Sequence, residues 1–306
     1  MTAALDRPVP ASLITAWTLQ PFAVLLVAAL ALGYAAGVRR LPGPWPRGRA
    51  VIFAIGLALL LWTSCGAPGA YADQLFWVWT SQALVLWLVV PVILVFGHPV
   101  QLARAVAPDV TARVLGTRIV RLVSNPFVSP ALVPILSFGI FFGPVPGLAI
   151  GTPVLGWVLQ LVLVVLGAGM ALWLVGLDDD TVSSNLAGMA LGIGMFELVI
   201  DAIPGIVMRL NDHIVSTYFD YRTATSWAPN PLSDQRTGGA IMWFIAEIID
   251  LPFLVLAYRR WRRVDAKDAA RIDTVLEAER SARGAETDEP WWLSDPAMQA
   301  RLRRRD

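Results

Sequence analysis

Four carboxylates lie inside long apolar segments of the chain, where an ionised acid is costly. Glu197 and Asp201 are four residues apart, and Glu247 and Asp250 are three apart, so each pair lies on one face of a helix. Acids inside a bilayer face the interior of a bundle, where they hold protons, share them or meet a cation. We therefore predict one intramembrane polar cluster of these four acids, joined by Gln82.

Two kinds of chemistry fit such a cluster. Protonated acids can link neighbouring helices by hydrogen bonds, or the acids can carry a proton or a small cation across the membrane. The apolar segments contain no Lys or Arg that would serve as a counter-ion. Both alternatives stay open from the sequence alone.

The elements that must position these acids are membrane-spanning helices. The composition is 56% hydrophobic and 15% charged, with a mean hydropathy of +0.61, which is unlike a soluble globular protein. A bilayer core needs about 20 residues of helix. The sequence predicts an all-α integral membrane protein, a bundle of seven transmembrane helices at Trp17–Val38, Ala50–Cys65, Ala72–Phe96, Phe127–Phe142, Pro153–Leu177, Leu186–Met208 and Gly238–Tyr258.

The distribution of basic residues sets the predicted orientation. One set of loops carries 20 Lys or Arg and the other carries 4, and basic loops stay in the cytoplasm. The N-terminus is therefore predicted outside and the C-terminus in the cytoplasm. Residues 1–16 form a short extracytoplasmic segment, 17–258 the membrane domain, and 259–306 a charged cytoplasmic tail, helical at first and then disordered. The net charge of +1 gives no indication of nucleic acid binding.

Motifs for catalysis are absent from the sequence. Cys65 is the only cysteine, which excludes an intramolecular disulfide and any CxxC site. The chain has no Walker sequence, no dinucleotide-binding glycine pattern and no GxSxG elbow. We predict that the protein is not an enzyme and name no catalytic residue.

The segment from Ser233 to Asp273, SDQRTGGAIMWFIAEIIDLPFLVLAYRRWRRVDAKDAARID, resembles the end of the bacterial CtaG-like cytochrome c oxidase assembly factors. The loop sequences GVRRLPGPWPRGRAVIF from Gly37, GHPVQLARAV from Gly97, SNPFV from Ser124 and WLVGLD from Trp173 are similar to loops of the same family. The residues that match the motif near the end of the chain are Asp234, Gln235, Gly238, Gly239, Trp243, Glu247 and Pro252.

The resemblance implies a multi-pass protein of the bacterial cell membrane, with the lipid bilayer and oxidase subunits as partners. It also implies copper, because family members carry membrane histidines that are thought to handle it. In this chain Trp79 and Ala83 stand where two of those histidines belong, with Gln82 kept between them. His98 and His213 are the only histidines and are predicted on opposite membrane faces. We therefore predict no metal site and no cofactor.

The resulting prediction is an assembly factor for cytochrome c oxidase, part of respiratory chain biogenesis, for which copper delivery is not supported by ligands. Two alternatives belong to other classes of protein. One is an ion- or proton-coupled transporter that uses the carboxylates of the sixth and seventh spans. The other is a membrane scaffold without enzymatic activity.

Overall fold

The computed structural model describes residues 6–125, 128–175, 184–216 and 227–283, and every regular element within them is a helix. We number these helices in chain order. They are α1 Ser12–Thr15, α2 Pro21–Arg40, α3 Arg47–Cys65, α4 Ala67–Tyr71, α5 Phe76–Phe96, α6 Pro99–Val106, α7 Pro108–Leu115, α8 Arg118–Val123, α9 Val128–Phe141, α10 Val145–Gly151, α11 Pro153–Val175, α12 Ser184–Leu210 and α13 Pro231–Arg283.

Several of these helices are long and apolar enough to cross a membrane. Five qualify in the described part of the chain, within α2, α3 with α4, α5, α11 and α12, and a sixth span results if α9 and α10 form one bent unit. The two halves of that unit meet at 63°, next to Gly143 with its φ of 102°. The predicted seventh span lies in α13, which is not among these six. The all-helical membrane fold is confirmed, but the count of seven is not.

Two spans were predicted to start a few residues before the observed helices do, and the structure shows the physical reason in each case. The first was expected from Trp17, but α2 starts at Pro21, because proline has no N–H to pair and suits the first position of a helix. The third was expected from Ala72, but the helix starts at Phe76, whose N–H donates to a side chain from another part of the chain.

Helix α5 is the central element of the bundle. About two thirds of its apolar stretch is buried, against 6% for α2. Its middle, Val85–Val89, is a π-helical turn in which Val90 N–H donates to the Val85 carbonyl. Pro91 follows and has no N–H to donate to the carbonyl of Trp87, so that oxygen lacks its usual α-helical donor and a neighbouring helix approaches it closely.

That neighbour is α11. An added Cβ at Gly167 would overlap the Trp87 carbonyl oxygen and would lie 2.7 Å from Pro91 Cγ. Only a residue without a side chain fits at this contact. The irregular turn in α5 and the glycine in α11 therefore complement each other, and they hold the two helices close.

The predicted cytoplasmic face carries two surface elements. Helices α6 to α8 follow α5 and expose apolar side chains among arginines, with Ile119 72% exposed. Helix α13 continues from its apolar part through a charged, mostly exposed segment to Arg283 without a break. The rest of the predicted tail, residues 284–306, lies outside the described residues.

Candidate functional site

The motif residue Asp234 caps the start of α5. Phe76 N–H donates to its Oδ2 at 2.8 Å, and Trp77 N–H donates to its Oδ1 at 3.1 Å. These amides belong to the first turn of α5, where no carbonyl of the helix itself can accept them. The side chain of Asp234 is almost completely buried, with 1% exposure. Burial raises the pKa of Asp234, and the hydrogen bonds from Trp77 and Phe76 oppose that shift.

Its neighbour Gln235 holds the segment that follows α12. The amide Nε2 donates to the His213 carbonyl at 2.9 Å, and Val215 N–H donates to Oε1 at 2.7 Å. A weaker bond, at 3.5 Å, joins Nε2 to the Met208 carbonyl near the end of α12. A buried amide that donates and accepts in this way uses nearly its full hydrogen-bonding capacity.

The two glycines that follow bring α13 against two helices at once. An added Cβ at Gly238 would meet the ring of Phe76 in α5 at 2.8 Å. One at Gly239 would meet the backbone of α12, at 2.6 Å from Arg209 N and 2.8 Å from the Gly205 carbonyl oxygen. Small residues at such crossings let helix backbones approach closely inside membranes.

Together these four motif residues join α5, α12 and α13 at one end of the bundle. We call this group, Asp234, Gln235, Gly238 and Gly239, the outer lock, since the predicted topology places it outside. The side chains of Asp234 and Gln235 are buried and paired with backbone groups of the chain itself. They therefore position helices and leave no free group for a ligand.

The remaining motif residues, Trp243, Glu247 and Pro252, lie further along α13. Trp243 Nε1 donates to Glu247 Oε1 at 3.2 Å. Trp243 and Pro252 are exposed, and Glu247 is partly exposed. This part of the motif therefore faces outward from the described bundle.

The four predicted carboxylates are only partly described. Asp201 is buried in α12, with 5% exposure, and Glu247 is partly exposed on α13. The side chains of Glu197 and Asp250 lie outside the described residues. Gln82, predicted to join the acids, donates to the Thr63 carbonyl of α3 at 2.9 Å. The shared cluster stays a prediction.

A cavity of about 600 Å³ lies near the start of α5. It is bounded by α5, by the start of α11 and by the segment that precedes α2, which we call the N-terminal strap, Trp17–Gln20. The strap is held by Thr18 N–H, which donates to the Cys65 carbonyl at 2.7 Å, and by Trp157 Nε1, which donates to Gln20 Oε1 at 3.1 Å. Sequence reasoning missed this cavity, because residues far apart in the chain form it.

Two of the residues that line the cavity, Trp79 and Ala83, occupy positions at which the sequence resemblance implied histidines. Gln82 lines the cavity as well. Its described lining includes no His, Cys or Met, so it lacks the imidazole and sulfur donors that copper prefers. In the part of the chain that the structure describes, no three His, Cys, Asp or Glu side chains converge as a metal site.

The two histidines of the chain lie at opposite ends of α5. His98 follows the last residue of that helix. The His213 carbonyl is bound by Gln235, next to the residue that caps its first turn. At 1.5 Å per residue, the 21 residues of α5 separate the two imidazoles by roughly 30 Å. They cannot bind one ion together.

The sequence profile of the cytochrome c oxidase caa3 assembly factors matches residues 32–264, which is more than half of the chain. The chain belongs to this family. A protein of Mycobacterium tuberculosis described as uncharacterised is 25% identical over 280 residues, which cover 87% of this chain and 42% of that protein. An uncharacterised protein of Mycobacterium leprae is 27% identical over 287 residues, 88% of this chain and 43% of its own length.

The chain thus spans about two fifths of the length of the curated relatives it matches. No solved structure matches it. Family membership and the apolar helices identify a multi-pass protein of the bacterial membrane. The family predicted from the DQ and double-glycine segment is confirmed, and the structure gives that segment a role in joining helices.

Proposed function

We propose that the chain acts in the assembly of cytochrome c oxidase by contact with oxidase subunits, without catalysis. The observation that carries this proposal is the family match over residues 32–264. The outer lock supports it, because a motif that holds three helices together maintains a surface and performs no chemistry. Seven spans with the N-terminus outside and the C-terminus in the cytoplasm are part of the proposal.

We also propose that the chain does not hold copper. The positions implied as histidines are an indole and a methyl group, Trp79 and Ala83. The described wall of the cavity around them offers amides, apolar groups and one carboxylate, Asp73, which are poor ligands for Cu(I). The role in assembly would then be to bind and orient a subunit, while another protein supplies the metal.

The test is a deletion strain combined with metal analysis. Deletion should lower the amount of assembled oxidase, and the full-length protein should restore it. Protein purified without chelators should contain no stoichiometric copper and should co-purify with oxidase subunits identified by mass spectrometry. Unchanged oxidase in the deletion strain would refute the assembly role, and stoichiometric copper lost on replacing a named side chain would refute the second proposal.

The orientation has its own experiment. Single cysteines at Asp73 and Arg263, introduced with Cys65 replaced, should react differently with an impermeant maleimide in intact cells. The basic residues that follow α13's apolar part predict labelling at position 73 only. Labelling at position 263 in intact cells would reverse the topology.

A further inference from the structure

The cavity beside α5 holds hydrogen-bonding groups that the fold itself does not use. The Oε1 atom of Gln74 is shielded from solvent and accepts no hydrogen bond from the described residues. Gln160, on α11, also lines the cavity and makes no side-chain hydrogen bond within the same part of the chain. Amides in protein interiors are normally paired. Two amide side chains that line one cavity without partners in the described residues can supply hydrogen bonds to a ligand there.

The walls of the cavity restrict the chemistry of that ligand. The described lining contains no Lys, Arg or His, so a phosphate or a carboxylate would enter without a counter-charge. The absence of His, Cys and Met from the same lining disfavours a soft metal. The lining includes one carboxylate, Asp73, which would repel an anion further and has an interaction of its own within the described chain. The rest is apolar surface with aromatic rings and amides: Trp17, Trp79 and Trp157 among the small residues Gly69, Ala70, Ala72, Ala83 and Gly156.

We propose that this cavity binds a neutral ring amphiphile of the isoprenoid quinone class. The flat ring packs against an indole, and its two oxygens pair with the amides of Gln74 and Gln160. An amide both donates and accepts, so the same two side chains serve a quinone carbonyl and a quinol hydroxyl. A volume of about 600 Å³ is within the usual range for a site that takes a ligand of this size.

The surroundings of the cavity suit a ligand that arrives from the lipid. Leu159, Gln160 and Leu163 line the cavity, while Val158 and Val162 on the same helix are 50% and 43% exposed. The isoprenoid tail can therefore extend along the lipid-facing side of α11. The N-terminal strap covers the ring from the other side. This inference goes beyond the assembly role and does not depend on it.

Equilibrium binding of a benzoquinone with one isoprene unit tests the proposal. Full-length protein in phosphatidylcholine nanodiscs should bind the probe saturably, at about one site per chain, above the partition into empty nanodiscs. Gln74→Leu and Gln160→Leu each remove one hydrogen bond and should weaken binding about fivefold. Ala83→Trp fills the cavity and should abolish saturable binding.

The control for the added bulk is Ala29→Trp, at an exposed position of α2, which should bind like the unchanged chain. The same ring carrying a sulfonate should not compete, because the described lining offers no cation. Binding that does not saturate, saturable binding that survives Ala83→Trp, or competition by the sulfonate would overturn the proposal. If Ala83→Trp fails to fold, the two leucine variants decide.

Discussion

Asp234 and Glu247 are acids of the same motif on the same helix, yet they have opposite surroundings. Asp234 is 1% exposed, and both its oxygens accept backbone N–H groups from α5. Glu247 is partly exposed and is bonded only locally in the described structure, to Trp243 one turn earlier. The first acid holds two helices together, whereas we expect a change of the second to leave the fold nearly unaltered.

The difference separates the motif into two parts. The outer lock at the start of α13 determines how the helices meet, and the side chains of Asp234 and Gln235 make their hydrogen bonds within the chain. The backbone of Trp243 packs against Gly205 of α12, but the side chains of the outward part, Trp243, Glu247 and Pro252, are exposed or partly exposed. The proposed contact with an oxidase subunit would use this outward part, since a partner must touch what the fold exposes.

The comparison is tested most strongly by removing the cap. Asp234→Ala leaves two buried N–H groups of α5 without acceptors, and we expect a loss of about 3 kcal/mol of stability. Thermal unfolding of the purified protein in detergent measures this loss. Asp212→Ala is the matched control, because its ion pair with Arg236 is exposed and should change stability by less than about 1 kcal/mol. Equal effects of the two variants would show that Asp234 is not a structural cap.

A methyl group at the crossing of α12 and α13 tests the close approach of the two helices. Gly239→Ala places its Cβ against the backbone of Arg209 and Gly205, so the helices must separate, at a cost of about 2 kcal/mol. Gly192→Ala, on α12, meets nothing within 4 Å. That control should be neutral or slightly stabilising, since alanine favours a helix. Similar melting temperatures for the two variants would disprove the tight crossing.

Neutral replacements of the carboxylates distinguish a role in interhelical hydrogen bonding from the transporter alternative. Asp201→Asn, Glu247→Gln, Glu197→Gln and Asp250→Asn keep size and hydrogen bonding but remove ionisation. We expect stability to change by less than about 1 kcal/mol and oxidase levels to stay normal, because a protonated acid and an amide both donate. A variant that inserts normally but loses the deletion-rescue phenotype would instead favour an ion or proton pathway.

The smallest effect is expected in the pH dependence of stability. Because burial raises the pKa of Asp234, folding favours its protonated form. The stability that this preference for the protonated form adds is therefore fully present below pH 3.8, the ordinary pKa of an aspartate. It is lost as the pH rises through the raised pKa. Asp234→Asn cannot titrate. The melting temperature of the unchanged chain, relative to that of this variant, should therefore rise as the pH falls. A constant difference between the two would contradict the raised pKa.

Some features of the site were accessible from the sequence and others were not. The DQ and double-glycine segment was recognisable because its residues are adjacent in the chain. Gln82 stood out as an amide in an apolar segment, but nothing in its spacing showed that it binds the Thr63 carbonyl or that it lines a cavity with Gln160. Gln20, Gln74 and Trp157 carried no signal, since their meeting depends on how α5, α11 and the N-terminal strap pack.

By itself the sequence determined the all-helical membrane fold and the family, because hydropathy and local motifs are properties of contiguous residues. Only the tertiary structure decided what the motif does. The acceptors for the amides of Phe76 and Trp77 lie 158 and 157 residues away, and no local rule assigns them. In a bilayer every backbone group must find its partner within the protein, and those partners are chosen by helix packing.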